Sequence, residues 1–304
     1  MNNFTNKVAV ITGAGSGFGR EFARLGASLG MKLVLADVQD DALQEVASEL
    51  RALGTSLLAQ RVDVSRADQV DALASATVAQ FGVAHLLFNN AGVGTAGLIW
   101  ESSISDWEWS LGVNLWGVIH GLRAFVPLML KAAQADPEFH AHVVNTASMA
   151  GLVNNPTTGV YNATKHAVVS LSETLYHDLS LVTEQVRCSV LCPYFIPTGI
   201  HQSARNRPPE LSDGGEPTLS QRIAHATIEK AVTSGKLSAA DMARRTFDAI
   251  EANSFYIFSH PHVLAAVQQS ANDLVAQRNP ADPFASRPGR RDELQALLRA
   301  TPQA

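Results

Sequence analysis

The stretch KVAVITGAGSGFGR, residues 7–20, joins a run of apolar residues to a turn that contains four glycines. The run has the composition of a buried strand, and a helical pattern begins directly after the turn. Glycine lets a backbone turn sharply and approach a ligand closely, and the N–H groups at a helix start form a seat for a pyrophosphate. The G-x-G-x-x-G spacing is not met, because its last position is Phe18 counted from Gly13 and Arg20 counted from Gly15. Taken alone, the turn also fits an ordinary tight strand–helix connection.

The rest of the chain repeats this order of strand and helix. Short runs rich in Val, Ile and Leu recur at 7–12, 32–37, 56–64, 85–92, 142–148, 186–193 and 255–260. Stretches with helical spacing follow them at 41–54, 66–81, 105–135, 159–184, 239–253 and 262–277. Strands that are apolar throughout are expected where both faces of a sheet are covered. The pattern predicts an α/β fold, a doubly wound (Rossmann) parallel sheet of about seven strands with helices on both faces.

The domain organisation is predicted from where the composition changes. No linker-like segment divides the chain, so residues 1–304 are predicted to form a single domain with a core at about 5–260. The polar, turn-rich stretch from 199 to about 237 predicts a lid over a ligand. Residues 278–304 predict a loosely attached C-terminal extension that ends in a short helix.

The bulk composition excludes several classes of protein. The chain has 304 residues, of which 46% are hydrophobic and 17% charged, so it can bury a large core. Its 23 basic and 28 acidic side chains give a net charge of −5, which offers no electrostatic case for binding nucleic acid or an anionic membrane. We find no run of eighteen apolar residues and no secretory start, so a cytoplasmic protein is expected.

The cysteines and histidines do not predict a disulfide or a metal site. Cys188 and Cys192 share a strand face about 13 Å apart, too far for a disulfide, so buried structural thiols in a reducing compartment are expected. Two histidine pairs are close in sequence, but neither has a third ligand at a zinc-type spacing; they are His140 with His142 and His260 with His262.

Asp37 indicates which dinucleotide the glycine turn would hold. It closes the second strand, twenty residues after Gly17, where a carboxylate can accept hydrogen bonds from both ribose hydroxyls of an adenosine. The same carboxylate would repel a 2′-phosphate, and the next residue, Val38, cannot receive one. NAD is therefore favoured over NADP, with a solvated aspartate at the strand end as the alternative interpretation.

Other polar and small residues fall at the carboxyl ends of strands, where open α/β sheets bind ligands. Asp63 follows the third strand and could reach the adenine amino group. The sequence Asn-Asn-Ala-Gly at 89–92 follows the fourth, where small residues let the backbone lie close to a cofactor. The cofactor contacts predicted from these turns are Gly13, Ser16, Gly17, Phe18, Gly19, Asp37, Val38, Asp63, Val64, Asn90, Ala91 and Gly92.

The stretch SMAGLVNNPTTGVYNATK, residues 148–165, supplies a candidate proton-transfer group. Tyr161 and Lys165 are four residues apart on a predicted helix and share a face. A nearby ammonium, or a positive nicotinamide ring, lowers a tyrosine pKa from its ordinary value near 10. Such a phenol could exchange a proton while a hydride moves on the adjacent carbon. Ser148 could hold the reacting oxygen, and the Lys165 head could also contact the nicotinamide ribose.

Together these motifs resemble the short-chain dehydrogenase/reductases, over roughly residues 5–260. The family's Thr-Gly-x-x-x-Gly-x-Gly turn matches residues 12–19, and its Asn-Asn-Ala-Gly matches 89–92. The resemblance implies a Rossmann fold, an active-site serine, tyrosine and lysine at Ser148, Tyr161 and Lys165, and a proton-relay asparagine at Asn114. Tyr161 and Lys165 would then also contact the cofactor.

One departure from the family pattern lies after the sixth strand. The family has Pro-Gly there, whereas this chain reads PYFIPTG from Pro193. Pro193, Ile196 and Thr198 keep the positions that the family uses around the nicotinamide carboxamide. Tyr194 replaces the glycine and places a large ring in the wall of the site. The resemblance also implies a homodimer or homotetramer formed through the helices near 107–135 and 159–184.

The function predicted from these residues is an NAD-dependent interconversion of a secondary alcohol and a ketone, with a bulky hydrophobic or aromatic small molecule as substrate. A wall of Met149, Val153, Tyr194 and Phe195, with His201 in the lid, would contact it. The tail and FYIFSHPHV resemble members that oxidise bulky benzylic alcohols, including lignin-derived aryl ethers. The alternatives are an NADP-preferring carbonyl reductase, a dinucleotide-binding regulator without turnover, and a nucleotide-sugar epimerase, for which different glycine spacing and a larger C-terminal domain are expected.

Overall fold

The computed structural model describes residues 3–212, 214–285, 287 and 289–299. Within them the backbone forms one parallel sheet with strand order β3-β2-β1-β4-β5-β6-β7. The strands are β1 (Val8–Thr12), β2 (Lys32–Asp37), β3 (Leu57–Arg61), β4 (Leu86–Asn89), β5 (Ala141–Thr146), β6 (Val186–Cys192) and β7 (Tyr256–Phe258). The predicted doubly wound fold is confirmed.

Helices connect the strands and cover both faces of the sheet. Their bounds are α1 (Gly17–Ser28), α2 (Asp40–Ala52), α3 (Ala67–Phe81), α4 (Ile104–Leu111), α5 (Gly117–Ala135), α6 (Gly159–Val182), α7 (Leu219–Thr233), α8 (Ala239–Glu251), α9 (Leu264–Val275) and α10 (Arg290–Arg299). Each lies within a few residues of a stretch predicted from helical spacing, apart from α7 and α10, which lie in the predicted lid and tail.

The core divides into two layers because successive side chains of a strand point to opposite faces. On β1, Ala9 and Ile11 pack into one layer, whereas Val8 and Val10 pack into the other. The first layer contains a stack of Phe22, Phe88 and Phe247 with ring centroids 4.6 and 5.7 Å apart. Burial on both faces explains why these strands are apolar throughout.

The strand order reverses at β1, which lies between β2 and β4. Helices therefore leave the two halves of the sheet on opposite faces, and a crevice opens outside the carboxyl ends of these strands. The hydroxyl of Thr12 spans the crevice floor: it donates to the Phe88 carbonyl at 3.2 Å and accepts from the Asn90 N–H at 2.9 Å. This edge carries the predicted site residues.

The helical segment 104–135 is long and apolar enough to span a membrane by length and composition. It packs against the sheet instead, with Phe125 and Met129 fully buried in the second core layer. A π-helical turn, Gly112–Trp116, separates α4 from α5 and contains Asn114. Such bulges often occur at functional sites.

The predicted lid consists of two 3₁₀ segments, Gly199–Asn206 and Pro209–Leu211, followed by α7. A carboxylate holds it to the body of the protein: Glu101 Oε2 accepts hydrogen bonds from the hydroxyls of Thr218 at 2.5 Å and Ser220 at 2.7 Å. These hydrogen bonds attach the N-terminus of α7 to the body of the protein.

The described residues of the C-terminal extension, predicted to be loosely attached, are mostly exposed but make specific contacts with α7 and α9. Buried Asp273 on α9 pairs with Arg278 at 3.0 Å and accepts the Ala281 N–H at 3.1 Å. Arg290 at the start of α10 donates to the Thr227 hydroxyl of α7 at 3.0 Å. These contacts fold the extension back over the lid, since the buried carboxylate requires hydrogen-bond partners.

Candidate active site

The glycine turn between β1 and α1 has no room for side chains. Gly13 and Gly17 have φ values of +67° and +53°, a region that L side chains rarely adopt. A Cβ on Gly19 would lie 2.0 Å from the Gly13 carbonyl oxygen, and one on Gly13 would lie 2.9 Å from the Ala91 Cα. The backbone of the glycine turn therefore lies closer to the cleft than it could with side chains at these positions.

The N-terminus of α1 fits a phosphate group. Its N-cap residue, Ser16, makes no side-chain capping hydrogen bond, and no acidic residue lies in the first turn. The first N–H groups of a helix have no intrahelical partner and carry a partial positive charge. With Gly13, Ser16, Gly17 and Phe18 lining the cleft, this turn could hold the diphosphate of a dinucleotide.

Asp37 faces the same cleft from the end of β2. Its Oδ2 accepts the Gly15 N–H and its Oδ1 accepts the Gln39 N–H, both at 2.9 Å. Burial raises the pKa of this carboxyl above its ordinary value, and these two backbone hydrogen bonds oppose the shift. They fix the carboxylate beside the glycine turn, where it could accept from ribose hydroxyls. Val38 lines the cleft next to it.

Asp63 and Val64 line the cleft after β3. Asp63 Oδ1 accepts the backbone N–H and the hydroxyl of Ser65, at 2.9 and 2.7 Å. Asp63 Oδ1 thus already accepts two hydrogen bonds from its own turn. Asp63 lies where the sequence placed it, with fewer acceptor positions for a ligand than a solvated carboxylate would have.

Asn90, Ala91 and Gly92 form the cleft floor after β4. The Asn90 amide donates to the Thr12 carbonyl at 2.9 Å, and its oxygen accepts the Thr146 hydroxyl at 3.4 Å. Asn90 therefore ties together the carboxyl ends of β1 and β5. This contact explains, in physical terms, why an asparagine side chain is useful at that position.

Ser148, Tyr161 and Lys165 line the same cleft. Ser148 follows β5 and caps a short 3₁₀ turn, since its Oγ accepts the Ala150 N–H at 3.1 Å. The Lys165 Nζ lies 5.7 Å from the Tyr161 ring centroid and donates to the Thr146 carbonyl at 2.8 Å. The structure thus brings the three predicted catalytic residues to the edge that carries the glycine turn.

Burial shifts the pKa values of both Tyr161 and Lys165. Burial raises the pKa of Tyr161 to about 12, although a hydrogen bond with Ser148 lowers it. Burial also lowers the pKa of Lys165 to about 8. For the protein by itself, removal of both groups from water therefore dominates the two shifts, and the acidifying effect of Lys165 on Tyr161 stays a prediction.

Asn114 is fully buried in the π-helical turn. Its Oδ1 accepts the Val93 N–H at 2.8 Å, and its amide donates to the Val93 carbonyl at 2.9 Å and the Thr164 hydroxyl at 3.2 Å. The side chain joins the loop after β4 to the helix that carries Tyr161. Its role as a proton relay stays a prediction.

The segment after β6 covers the centre of the cleft, which has a volume of about 1700 Å³. Pro193, Ile196 and Thr198 line it, as predicted from the family pattern. Thr198 lies against the glycine turn, since a Cβ on Gly17 would be 3.3 Å from the Thr198 Cβ. The lid therefore begins directly above the phosphate seat.

The predicted substrate wall of the cleft is apolar and aromatic. Met149, Val153, Tyr194 and Phe195 line it, and the Tyr194 ring packs edge-on against Phe195 at 4.7 Å between centroids. The prediction for His201 is wrong: it is not among the lining residues, and its Nδ1 lies 3.1 Å from the Thr198 carbonyl. The turn of the 3₁₀ segment directs this ring back onto its own backbone.

Sequence reasoning missed several cleft residues that distant segments contribute. They are Gln39, Arg205, Arg207, Ile228, His262, Phe284, Arg287 and Leu294. Arg207 pairs with Asp106 of α4 at 2.5 Å and lies over the Trp109 ring at 5.3 Å. The sequence holds no local signal for most of these residues, since they reach the cleft through packing of the lid, the extension or the segment after β7. Gln39 instead follows Asp37 by two positions.

Comparison with known proteins agrees with this geometry. The family model described as short chain dehydrogenase matches residues 7–209. A crystal structure of a short-chain dehydrogenase/reductase from Burkholderia phymatum in complex with NAD is 55% identical, with a TM-score of 0.91, and covers 94% of this chain and 100% of that one.

Two curated proteins are similar along nearly their whole length. A CLA biosynthesis dehydrogenase/reductase of Lactiplantibacillus plantarum is 31% identical over 283 residues, 92% of this chain and 97% of that protein. A C alpha-dehydrogenase of Sphingobium sp. is 30% identical over 302 residues, 98% and 94% of the two chains. Fold, glycine turn and matched family together show that this chain belongs to the short-chain dehydrogenase/reductase family of nucleotide-binding oxidoreductases.

Proposed function

We propose that this protein interconverts a secondary alcohol and a ketone with NAD, and that its substrate is a bulky hydrophobic or aromatic molecule. The observation that carries the proposal is the placement of Tyr161, Ser148 and Lys165 in the same cleft as the glycine turn and Asp37. The proposed proton-transfer group and the proposed dinucleotide-binding site thereby lie in the same cleft.

The chemistry assigned to Tyr161 is proton exchange with the substrate oxygen. In the oxidation direction the phenolate of Tyr161 would take the proton of the alcohol hydroxyl, and a bound nicotinamide dinucleotide would supply the hydride acceptor. Ser148 holds the same oxygen by a hydrogen bond, and the Lys165 ammonium favours the phenolate. A phenol with a pKa of about 12 is almost fully protonated near neutral pH, so these attractions must lower that pKa for efficient oxidation.

Preference for NAD is supported by the fixed position of Asp37. Two backbone N–H groups hold its carboxylate at the cleft, 2.9 Å from each donor. A 2′-phosphate there would face a negative charge at short range. The similar protein from Burkholderia phymatum was solved with NAD.

The substrate class is supported by the size and lining of the cleft. Its volume of about 1700 Å³ exceeds the roughly 300–1,000 Å³ of ordinary small-molecule sites, so a second ligand fits beside a dinucleotide. Apolar side chains from the lid and the extension add to the predicted wall, including Ile228 of α7 and Phe284. The similar curated proteins are named dehydrogenases.

The test is the Tyr161→Phe variant, assayed against a panel of aryl and alicyclic secondary alcohols with NAD and with NADP. We expect kcat to fall about 100-fold or more, because general acid–base catalysis contributes about that much. NADH binding and the thermal unfolding midpoint should stay near those of the original protein.

Near-normal turnover by Tyr161→Phe would show that the proton-transfer assignment is wrong. Equal activity toward small and bulky alcohols would count against the substrate class. If the unmodified protein binds NADH tightly and oxidises nothing in the panel, a dinucleotide-binding regulator would replace the enzyme.

A further inference from the structure

Arg205 of the lid reaches across the cleft to the end of β2. Its Nε donates to the side-chain oxygen of Gln39 at 3.0 Å, over a separation of 166 residues in the chain. Its Nη1 donates to the carbonyls of Gly199 and Gln202, at 2.9 and 2.8 Å. Among the described residues, none accepts a hydrogen bond from Nη2. Hydrogen bonds from Nε and Nη1 thus fix the guanidinium, and the N–H groups of Nη2 can still donate to a ligand.

The position of this guanidinium follows from its neighbours. A Cβ on Gly199 would lie 2.9 Å from Arg205 Nη2, so the group lies against the start of the lid. Thr198, the preceding residue, touches Gly17 of the glycine turn. Gln39, at the other end, comes two residues after Asp37. Arg205 therefore lies between the predicted diphosphate seat and the predicted ribose seat.

The negative charges in the half of the cleft that contains the glycine turn and Asp37 require a cation. Asp37 and Asp63 both line it, and the diphosphate of a dinucleotide adds about two further negative charges near neutral pH. A helix N-terminus offers only about half a positive charge. The described cationic residues that line this half are Arg61, which donates to the Val38 carbonyl at 3.1 Å, and Arg205. Arg205 is the one next to the glycine turn.

We propose that Arg205 is a cofactor-binding residue supplied by the lid, which donates hydrogen bonds to the diphosphate of the dinucleotide. The inference rests on the proposed function, since it requires that a dinucleotide occupies this cleft. It makes the lid part of the cofactor site as well as of the substrate site.

The test measures binding without turnover. Dissociation constants for NADH, ADP and adenosine are determined by fluorescence and calorimetry at several salt concentrations. The variants are Arg205→Met, Arg205→Lys and Gln39→Ala, and the matched control is Arg222→Met. Arg222 is an exposed arginine of α7 that does not line the cleft and contacts the Pro217 carbonyl.

For Arg205→Met we expect about tenfold weaker binding of NADH and of ADP at low salt, the usual effect of losing hydrogen bonds to a charged group. The salt dependence of binding should become shallower, because one screened attraction is lost. Adenosine, which has no phosphate, should bind as it does to the original protein. Arg205→Lys should keep the salt dependence, and Arg222→Met should behave as the original protein.

Unchanged ADP binding and unchanged salt dependence in Arg205→Met would overturn the inference. So would equal losses in Gln39→Ala and Arg205→Met, because they would show that Arg205 merely fixes the lid to β2. Failure of the original protein to bind NADH or ADP would instead reject the proposed function, so the two failures can be told apart.

Discussion

The proposed cofactor preference depends on a single side chain, Asp37. Its carboxylate is positioned by the N–H groups of Gly15 and Gln39, so its direction does not depend on a ligand. A carboxylate fixed in this way has little conformational freedom before the ribose binds, so little conformational entropy is lost on binding. The proposed preference for NAD is therefore assigned to one residue.

Replacement of Asp37 by serine tests this preference. The variant should lose about tenfold to a hundredfold in kcat/KM with NAD, because two hydrogen bonds to a charged acceptor are removed. Activity with NADP should rise as the repulsion of the 2′-phosphate disappears. The measurement is the ratio of kcat/KM for the two cofactors. Asp40→Ser is the matched control, because Asp40 is exposed and outside the cleft; an unchanged ratio in Asp37→Ser would contradict the assignment.

The lid is the element on which we expect substrate access to depend. Its position relies on Glu101, which comes from the loop between β4 and α4 and accepts from Thr218 and Ser220. Ser220 is buried and its Oγ also accepts the Leu98 N–H at 2.8 Å. The Glu101 carboxylate thus joins the N-terminus of α7 to the body of the molecule. It is far in sequence from the lid that it holds.

Replacement of Glu101 by alanine should loosen this element without unfolding the protein. Hydrogen bonds to a charged acceptor contribute about 1.5–3 kcal/mol each, and the loss falls on a local opening of the lid. We expect faster proteolysis near residues 207–218 and a higher KM for bulky alcohols, with the thermal midpoint nearly unchanged.

Glu138→Ala, at an exposed position in the turn between α5 and β5, serves as the control for Glu101→Ala. Proteolysis of the lid at the same rate in both variants would show that Glu101 does not hold it. A large drop in the thermal midpoint of Glu101→Ala would show that the lid is part of the global folding unit.

At the scale of the whole molecule, two buried histidines link stability to pH. Burial lowers the pKa of His142 to about 3 and that of His85 to about 4. His85 Nδ1 accepts the Val8 N–H at 3.1 Å, which requires the neutral ring. His142 Nε2 lies 2.7 Å from the Ser189 hydroxyl in the sheet. The contact of His85 thus forms only with a neutral ring, and burial disfavours the charged form of both rings.

The sign of the pH effect follows from these shifts. In the unfolded chain both histidines take up protons below about pH 6.5, whereas in the folded protein they do so only near pH 4 and pH 3. The free energy of unfolding should therefore fall as pH decreases below 6.5, by about 2 kcal/mol between pH 6 and pH 5. Urea denaturation at pH 7, 6 and 5 measures it.

Two variants separate this effect from other titrations. His85→Gln keeps an acceptor for Val8 and should reduce the pH slope by about half, since one of the two groups is removed. His140→Gln, at an exposed position, should leave it unchanged. Equal unfolding free energies at pH 7 and pH 5 in the original protein would contradict the prediction.

The sequence alone determined the sheet, the glycine turn and the edge at which the site residues meet. Apolar periodicity, glycine positions and strand ends are local properties, and parallel strands bring their carboxyl ends to one edge whatever the loops do. Burial of both cysteines without pairing was predicted in the same way and is confirmed. The oligomeric state and the cellular location stay predictions.

Only the tertiary structure decided the contacts between distant segments and the electrostatics of buried groups. Arg205 meets Gln39, the extension closes over α7, and His201 turns away from the cleft because of how whole segments pack. The pKa of Tyr161 rises because the fold takes its hydroxyl out of water. Desolvation depends on everything that surrounds a group, and no spacing of residues along the chain records it.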